Sequence, residues 1–248
     1  MLLLVDIGNT YTKIKLDNES NVFHIPTSKI KNVDSLKELF PKDLSFDSAC
    51  ISNVSKGKDL IFKEYFDELN IKSLIINKDL KFRIKYPLVN ELGPDLMALM
   101  EGCATICSSF IAISLGTASV FLYVKNNEFM GCAIAPGLLS SLDGLINTAS
   151  LIEDTVLSKD YELLGFDTES SLRDWILMGH AFMVDGYINA IKEENSIKEI
   201  HTFMLGGFSD TIIKNIKNEV IIDQDLIFKG MKDIYSNNEG ILKWNDYF

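Results

Sequence analysis

The feature that most constrains this chain is a pattern that occurs twice. Leu2 to Val5 is a short apolar run, long enough for a buried strand. Thr12, Ile14 and Leu16 then alternate with Lys13 and Lys15, the period-two signature of a strand with one wet face. Between them lies Asp6-Ile7-Gly8-Asn9-Thr10, a turn signal. Phe110 to Ile113, Ser114-Leu115-Gly116-Thr117-Ala118 and Val120 to Val124 repeat the arrangement. Helical patterns follow each copy, so the chain reads as two duplicated α/β domains around a central cleft. The boundary falls near residue 113, giving domains 1–112 and 113–248.

Further strands are expected at Ala49–Val54, Ser73–Ile76, Gly131–Ala135 and Thr202–Leu205. Helices are expected at Ser35–Phe40 and Leu60–Leu69, after Gly93-Pro94-Asp95, and after Pro136-Gly137, where Leu138, Leu142, Leu145, Ile146 and Ala149 form the inner face. The clearest helix runs from Leu172 to Ile191. Leu172, Trp175, Ile176, Gly179, Phe182, Met183, Gly186, Tyr187 and Ala190 make one apolar stripe on it, and Thr168, Ser170 and Ser171 are candidate caps. Glycine inside a helix costs about 1 kcal/mol, so Gly179 and Gly186 suggest close approach by another helix. A last amphipathic helix follows Asp225, with Leu226, Phe228, Met231 and Ile234.

Acidic residues outnumber basic ones by 35 to 24, for a net charge of −11. Such a surface repels phosphate backbones, so nucleic acid is not an expected partner. A phosphate ligand must instead be held locally, by backbone N–H groups, a lysine or a metal ion. No apolar run approaches the roughly 20 residues of a spanning helix or the 7–15 of a signal peptide. A cytoplasmic protein without membrane association is therefore expected. Cys50, Cys103, Cys107 and Cys132 include no CxxC pair and read as reduced thiols.

The first turn carries the chemistry. Asp6 ends a buried strand, where a carboxylate can hold a hydrated Mg²⁺. Gly8 lets backbone approach a ligand, Asn9 and Thr10 add hydrogen-bonding side chains, and Lys13 adds a cation. A plain hairpin remains the alternative for this turn alone. Gly116-Thr117-Ala118 at the equivalent place, with Leu205-Gly206-Gly207 where an adenosine could lie, makes the pattern more specific.

Taken together, these motifs resemble the type III pantothenate kinases, of the acetate and sugar kinase, Hsp70 and actin superfamily. Asp6-Ile7-Gly8-Asn9-Thr10 with Lys13 is similar to their first phosphate motif. Tyr86 and Gly93-Pro94-Asp95-Leu96 are similar to their Tyr and G-x-D-R segment, and Ser114 to Ala118 to their D-x-G-T-A. Gly131, Pro136-Gly137, Thr148-Ala149, Gly165-Phe166-Asp167-Thr168, Leu205-Gly206-Gly207 and Asp225 to Met231 follow in the family's order. The resemblance implies an α/β fold of two ribonuclease H-like domains around a nucleotide cleft. It also implies ATP-dependent phosphorylation of pantothenate, the first step of coenzyme A synthesis. Asp6, Ile7, Gly8, Asn9, Thr10, Tyr11, Thr12, Lys13 and Thr117 would bind ATP, with Asp6 near Mg²⁺. Asp95 would be the general base. Tyr86, Gly93, Pro94, Asp95, Leu96 and Thr168 would surround pantothenate, with Thr168 supplied across a homodimer.

Three positions depart from the family pattern. Leu96 replaces an Arg, so a cation for the anionic substrate is missing. Ser114 replaces the Asp linked to a monovalent cation, K⁺ or NH₄⁺, and Leu122 replaces a further Asp. A weakened kinase, little affected by potassium, is the expectation. A nucleotide-binding paralogue with a regulatory role, or a kinase for another small hydroxyl substrate, are the alternatives.

Overall fold

The computed structural model describes residues 1–86, 92–148, 157–158 and 160–244. Ala149, expected on a helix face and in the Thr148-Ala149 marker, lies outside them. The chain forms two compact units, Met1–Ile106 with Asp225–Phe248, and Cys107–Gln224.

In the first unit, β1 (Leu2–Ile7), β2 (Tyr11–Leu16), β3 (Phe23–Pro26), β4 (Ser48–Asn53) and β5 (Lys72–Ile75) form a sheet in the order β3-β2-β1-β4-β5. β2 runs antiparallel to its neighbours, whereas β1, β4 and β5 are parallel. Parallel strands covered on both faces read as continuous apolar runs, which explains the unbroken Leu2 to Val5. Leu3, Val5 and Ile7 pack with Phe62 and Phe66. These phenylalanines come from α2 (Lys58–Glu68), beside α1 (Val33–Leu39). Alternation then sends Asp6 to the opposite face. The helix α3 (Pro94–Ala104) completes this part of the unit.

The second unit repeats the design. Its strands are β6 (Phe110–Leu115), β7 (Ala118–Lys125), β8 (Glu128–Pro136), β9 (His201–Gly206) and β10 (Ile221–Ile222), in the order β10-β9-β6-β7-β8. β6 takes the place of β1. The correspondence extends to register: Tyr11 faces Pro26 in one sheet and Ala118 faces Pro136 in the other. Each unit thus has the 3-2-1-4-5 strand arrangement of a ribonuclease H-like domain.

Three helices, α4 (Leu138–Thr148), α5 (Thr168–Glu194) and α6 (Ser209–Ile212), accompany this second sheet. Asp167, not the expected Thr168, Ser170 or Ser171, caps α5. Its carboxylate accepts from the Ser170 N–H at 2.7 Å, and Ser170 closes a capping box. The stripe expected on α5 is in fact two faces. Ile176, Ala181, Val184 and Ile188 are buried against Ile111 and Ile113, whereas Trp175, Phe182 and Tyr187 are 53%, 48% and 38% exposed. Gly186 has open space where a Cβ would stand, so packing within the chain does not require it.

The chain then returns to the first unit as α7 (Leu226–Trp244). The sequence placed these residues in the second domain, but they group with the first because α7 packs along α3 and over β1, β4 and β5. This also corrects the wet face expected for β2. Lys15 is buried, its ammonium 2.6 Å from the Asp225 carboxylate and above the Phe228 ring. The α3–α7 contact is backbone on backbone. A Cβ on Gly230 would stand 1.7 Å from the Ala98 carbonyl oxygen, and one on Gly102 would stand 2.0 Å from that of Leu226.

Gly230→Ala should therefore destabilise despite its better helix propensity. Separating the helices is worth about 3 kcal/mol of overpacking against about 1 of propensity gained. Thermal unfolding should show a melting temperature lower by roughly 4–8 °C. An unchanged or higher value would mean that the helices separate at no cost.

Candidate active site

The first unit gathers three of the expected groups, Asp6, Lys13 and Asp95, at the end of β1, together with Ser52, which the sequence did not single out. Asp6 faces Lys13 across the antiparallel pair and Ser52 across the parallel one, so all three side chains share a face. Asp95, in the first turn of α3, is close enough for its charge to act on Asp6. Burial pushes the Asp6 carboxyl up to about 6. Lys13 opposes this shift, Asp95 adds to it, and the Ser52 hydroxyl opposes it weakly. That hydroxyl is buried and makes no hydrogen bond of good geometry. Asp95 is also raised, by burial, against the hydrogen bond from the Leu96 N–H and the charge of Lys13. A buried carboxylate held above its ordinary range beside a lysine and an orphaned hydroxyl is a fit for a cation carrying phosphate oxygens. Among the described residues no cluster of three His, Cys, Asp or Glu could hold a metal. Mg²⁺ needs no such cluster, since one or two carboxylates plus phosphate suffice.

The turn above Asp6 is fixed by backbone. The Gly8 N–H donates to the Tyr11 carbonyl at 3.1 Å, and the Thr27 hydroxyl donates to the Gly8 carbonyl at 2.8 Å. The Thr27 N–H donates to the Thr10 carbonyl at 3.0 Å. Thr12 is buried with its hydroxyl 3.0 Å from that of Thr27, whereas Asn9, Thr10 and Tyr11 are exposed at the tip and Ile7 belongs to the core. Thr27 escaped the sequence reading because its role depends on the β2–β3 pairing, and β3 was not anticipated.

The Asp95 carboxylate lies close over Gly93. A Cβ there would stand 2.5 Å from a carboxylate oxygen of Asp95, which folds back over it. Pro94 starts α3 and Leu96 is half-buried one residue beyond the acid. Tyr86 donates its hydroxyl towards Glu101 of the same helix at 3.1 Å.

In the second unit the Gly116 N–H donates to Ala118, as Gly8 does to Tyr11. Thr117 is exposed, and its carbonyl accepts from the Gly137 N–H at 3.0 Å and the Ser140 hydroxyl at 2.7 Å. Gly137 admits no side chain, since a Cβ would meet the Gly116 oxygen at 2.1 Å. Ser114 is half-buried in β6, and Leu122 is a core residue of β7. Gly206, at φ +123°, lies against Leu115, and its N–H and C=O are both held by the Gln224 side chain. Its polar groups are thus engaged, leaving Gly207 as the open residue of the pair. A depression of about 740 Å³ lies elsewhere in this unit, lined by Leu145, Phe166, Asp167, Thr168, Ser171, Leu172 and Trp175.

Comparison with known proteins matches the geometry. The family model of type III pantothenate kinases matches residues 2–190. A type III pantothenate kinase of Malacoplasma penetrans is 33% identical over 249 residues, covering 96% of this chain and 97% of its own. Among solved structures, a conserved protein of Campylobacter jejuni named as a Baf family transcriptional activator superposes with a TM-score of 0.63 at 20% identity, covering 96% of this chain and 99% of its own. A Sinorhizobium meliloti structure named as a 2-dehydro-3-deoxygalactonokinase gives 0.57 at 10% identity, covering 95% and 98%. At these identities the two structures speak for the fold.

The raised Asp6 has a consequence for stability. The unfolded chain loses this proton near 3.8 and the folded protein near 6, so folding weakens as pH rises between those values. Two units correspond to about 3 kcal/mol. Asp6→Asn should therefore melt higher than the wild type at pH 7.5, with the difference shrinking towards pH 4.5. Mg-ATP should raise the melting temperature of the wild type only. Equal melting at both pH values would remove the penalty assigned to Asp6.

Proposed function

The chain belongs to the type III pantothenate kinase family, and on that premise we propose that it transfers the γ-phosphoryl group of ATP to pantothenate, the first step of coenzyme A synthesis. The observation that carries the reading is the group of Asp6, Lys13 and Asp95 on one face of the first unit, in a chain whose relatives align along nearly its whole length. Asp6 to Lys13 and Thr117 are the ATP contacts. Tyr86, Gly93 to Leu96 and Thr168 are the pantothenate contacts. Mg²⁺ held through Asp6 would screen the charge of the phosphates.

Asp95 accepts the proton of the substrate hydroxyl as that oxygen bonds to the γ-phosphorus, and ADP leaves with the electrons of the broken bond. Its raised affinity for protons makes it a better base than an exposed aspartate. Phosphoryl transfer asks little more of a protein than positioning and charge neutralisation. Leu96 offers no donor to the carboxylate of pantothenate, so binding of that end is weak on this reading. Ser114 offers one hydroxyl to a monovalent cation, and potassium should have little effect. The cytoplasm is the compartment this reading implies.

ATP consumption with pantothenate and Mg²⁺ tests it. Wild type should turn over, and Asp95→Asn should lose about 10²- to 10⁴-fold in kcat, the range of a general base. No turnover by the wild type would overturn the reading, and an unchanged Asp95→Asn would remove Asp95 as base.

The exposed face of α5 supports a homodimer. Trp175, Gly179, Phe182 and Gly186 recur at helical spacing, and Phe166 before the helix is 100% exposed. Light scattering should give a dimer at micromolar concentration, and Phe182→Glu should give a monomer. A monomeric wild type would count against it.

A further inference from the structure

Ser52 stands at the end of β1 with Asp6, yet no step above uses it. It is fully buried, and its hydroxyl has no hydrogen-bond partner of good geometry. A hydroxyl in that state has given up water without replacement, and folded proteins keep few such groups. Alanine would fill the same place in β4 without that cost. The neighbours show where the side chain points. Strand alternation puts Cys50, Ser52 and Val54 on one face. The Cys50 thiol donates to the Met231 carbonyl of α7 at 3.5 Å. Val54 lies by Gly93, where a Cβ would stand 3.5 Å from its Cγ1. Ser52 is thus set between α7 and the start of α3, and beside Asp6 in the parallel pair. The Asp6 carboxylate is near enough for that hydroxyl to act on it.

We infer that Ser52 is a positioning residue for Asp6, its hydroxyl held in reserve to donate to the carboxylate when Asp6 engages Mg-ATP. This rests on the proposed reading of the Asp6 turn as the nucleotide site. Ser52 itself touches no ligand; it acts through Asp6. A hydroxyl is a rotor and can turn its proton to the carboxylate with no movement of the backbone. A carboxylate has two oxygens with about four acceptor positions. A cation or one of its waters occupies some of them and leaves others facing the protein. A donor on the protein side then keeps the carboxylate in one orientation. Lys13, across the antiparallel pair, brings charge to Asp6, whereas Ser52 brings direction. Carboxylates that serve a metal are generally hydrogen-bonded in turn, and loss of that partner costs about 10- to 100-fold in metal affinity.

Ser52→Ala tests the role by calorimetry and thermal unfolding. Its affinity for Mg-ATP should fall roughly 10-fold, the lower end of that range, while ATP in EDTA binds both proteins alike. Without nucleotide the variant should melt at or above the wild type, because the hydroxyl has no bond to lose there. Ser52→Thr keeps the hydroxyl, and should bind Mg-ATP within about 2-fold of the wild type. Unchanged Mg-ATP affinity in Ser52→Ala, or an equal loss with and without Mg²⁺, would overturn the inference. So would a lower melting temperature without nucleotide, or failure of Ser52→Ala to fold, since either would make Ser52 a structural group of the free protein. A folded Ser52→Thr that binds as weakly as Ser52→Ala would also overturn it; if Ser52→Thr does not fold, Ser52→Ala decides. A wild type that binds Mg-ATP but ignores pantothenate defeats the proposed function alone, and the binding measurements still decide the role of Ser52. A wild type that binds no Mg-ATP overturns both.

Discussion

The backbone contact between α3 and α7 is the constraint on which the first unit depends. Gly102 and Gly230 let the two helices meet where any side chain would overlap a carbonyl oxygen. Close-packed interiors transmit such displacements rather than absorb them. α3 carries Asp95 at its N-terminus, the half-buried Leu96, and Glu101 two turns later. A shift of α3 would move the acid, the neighbouring side chain and the anchor of Tyr86 together. A helix pair locked at backbone distance therefore holds the Asp95 carboxylate in a fixed place beside Asp6.

The duplication has a second consequence. In each sheet the second strand starts opposite a proline that ends the third, and each first turn is closed by a glycine N–H donating across it. The braces match in kind. Thr27 ties the first turn through its N–H and its hydroxyl, whereas the second divides the task between the Gly137 N–H and the Ser140 hydroxyl and leaves no room for a side chain at Gly137. The first turn retains its acid and its lysine. The second, with Ser114 and Leu122, has neither charge, so it contributes shape and hydrogen bonding.

The parts legible in the sequence were those written locally. Leu2–Val5, the Asp6–Thr10 turn and their repeat at Phe110–Val124 announced the two sheets, because strand periodicity and turn chemistry are short-range signals. Gly93 and Asp95 were singled out through an ordered resemblance, and the structure puts the Asp95 carboxylate close over Gly93. The missed features are those that only the folded chain defines. β3 is four residues with a weak pattern, and β10 is two. Lys15 read as a solvated strand residue until α7 covered it and Asp225 paired it, with 210 residues between the partners. The α5 stripe was overdrawn because apolar residues on a helix do not reveal which face meets its own domain. Trp175 and Phe182 point away from the core that buries Ile176 and Val184.

Charge placement is the least local property of all. Leu96 was noticed as an absence, the loss of an arginine beside the substrate, and that absence invites a search for another cation. Around α3 the structure answers with an anion. Glu101 is stabilised by two backbone N–H groups and a phenol rather than by a basic side chain. Hydrogen bonds to a buried carboxylate offset its desolvation without cancelling its field, and here burial still leaves its proton affinity raised. α3 thus carries a buried carboxylate, the half-buried Leu96 and no basic side chain. The sequence of α3 therefore offers an anionic ligand no cationic partner, and such a partner would have to come from another element.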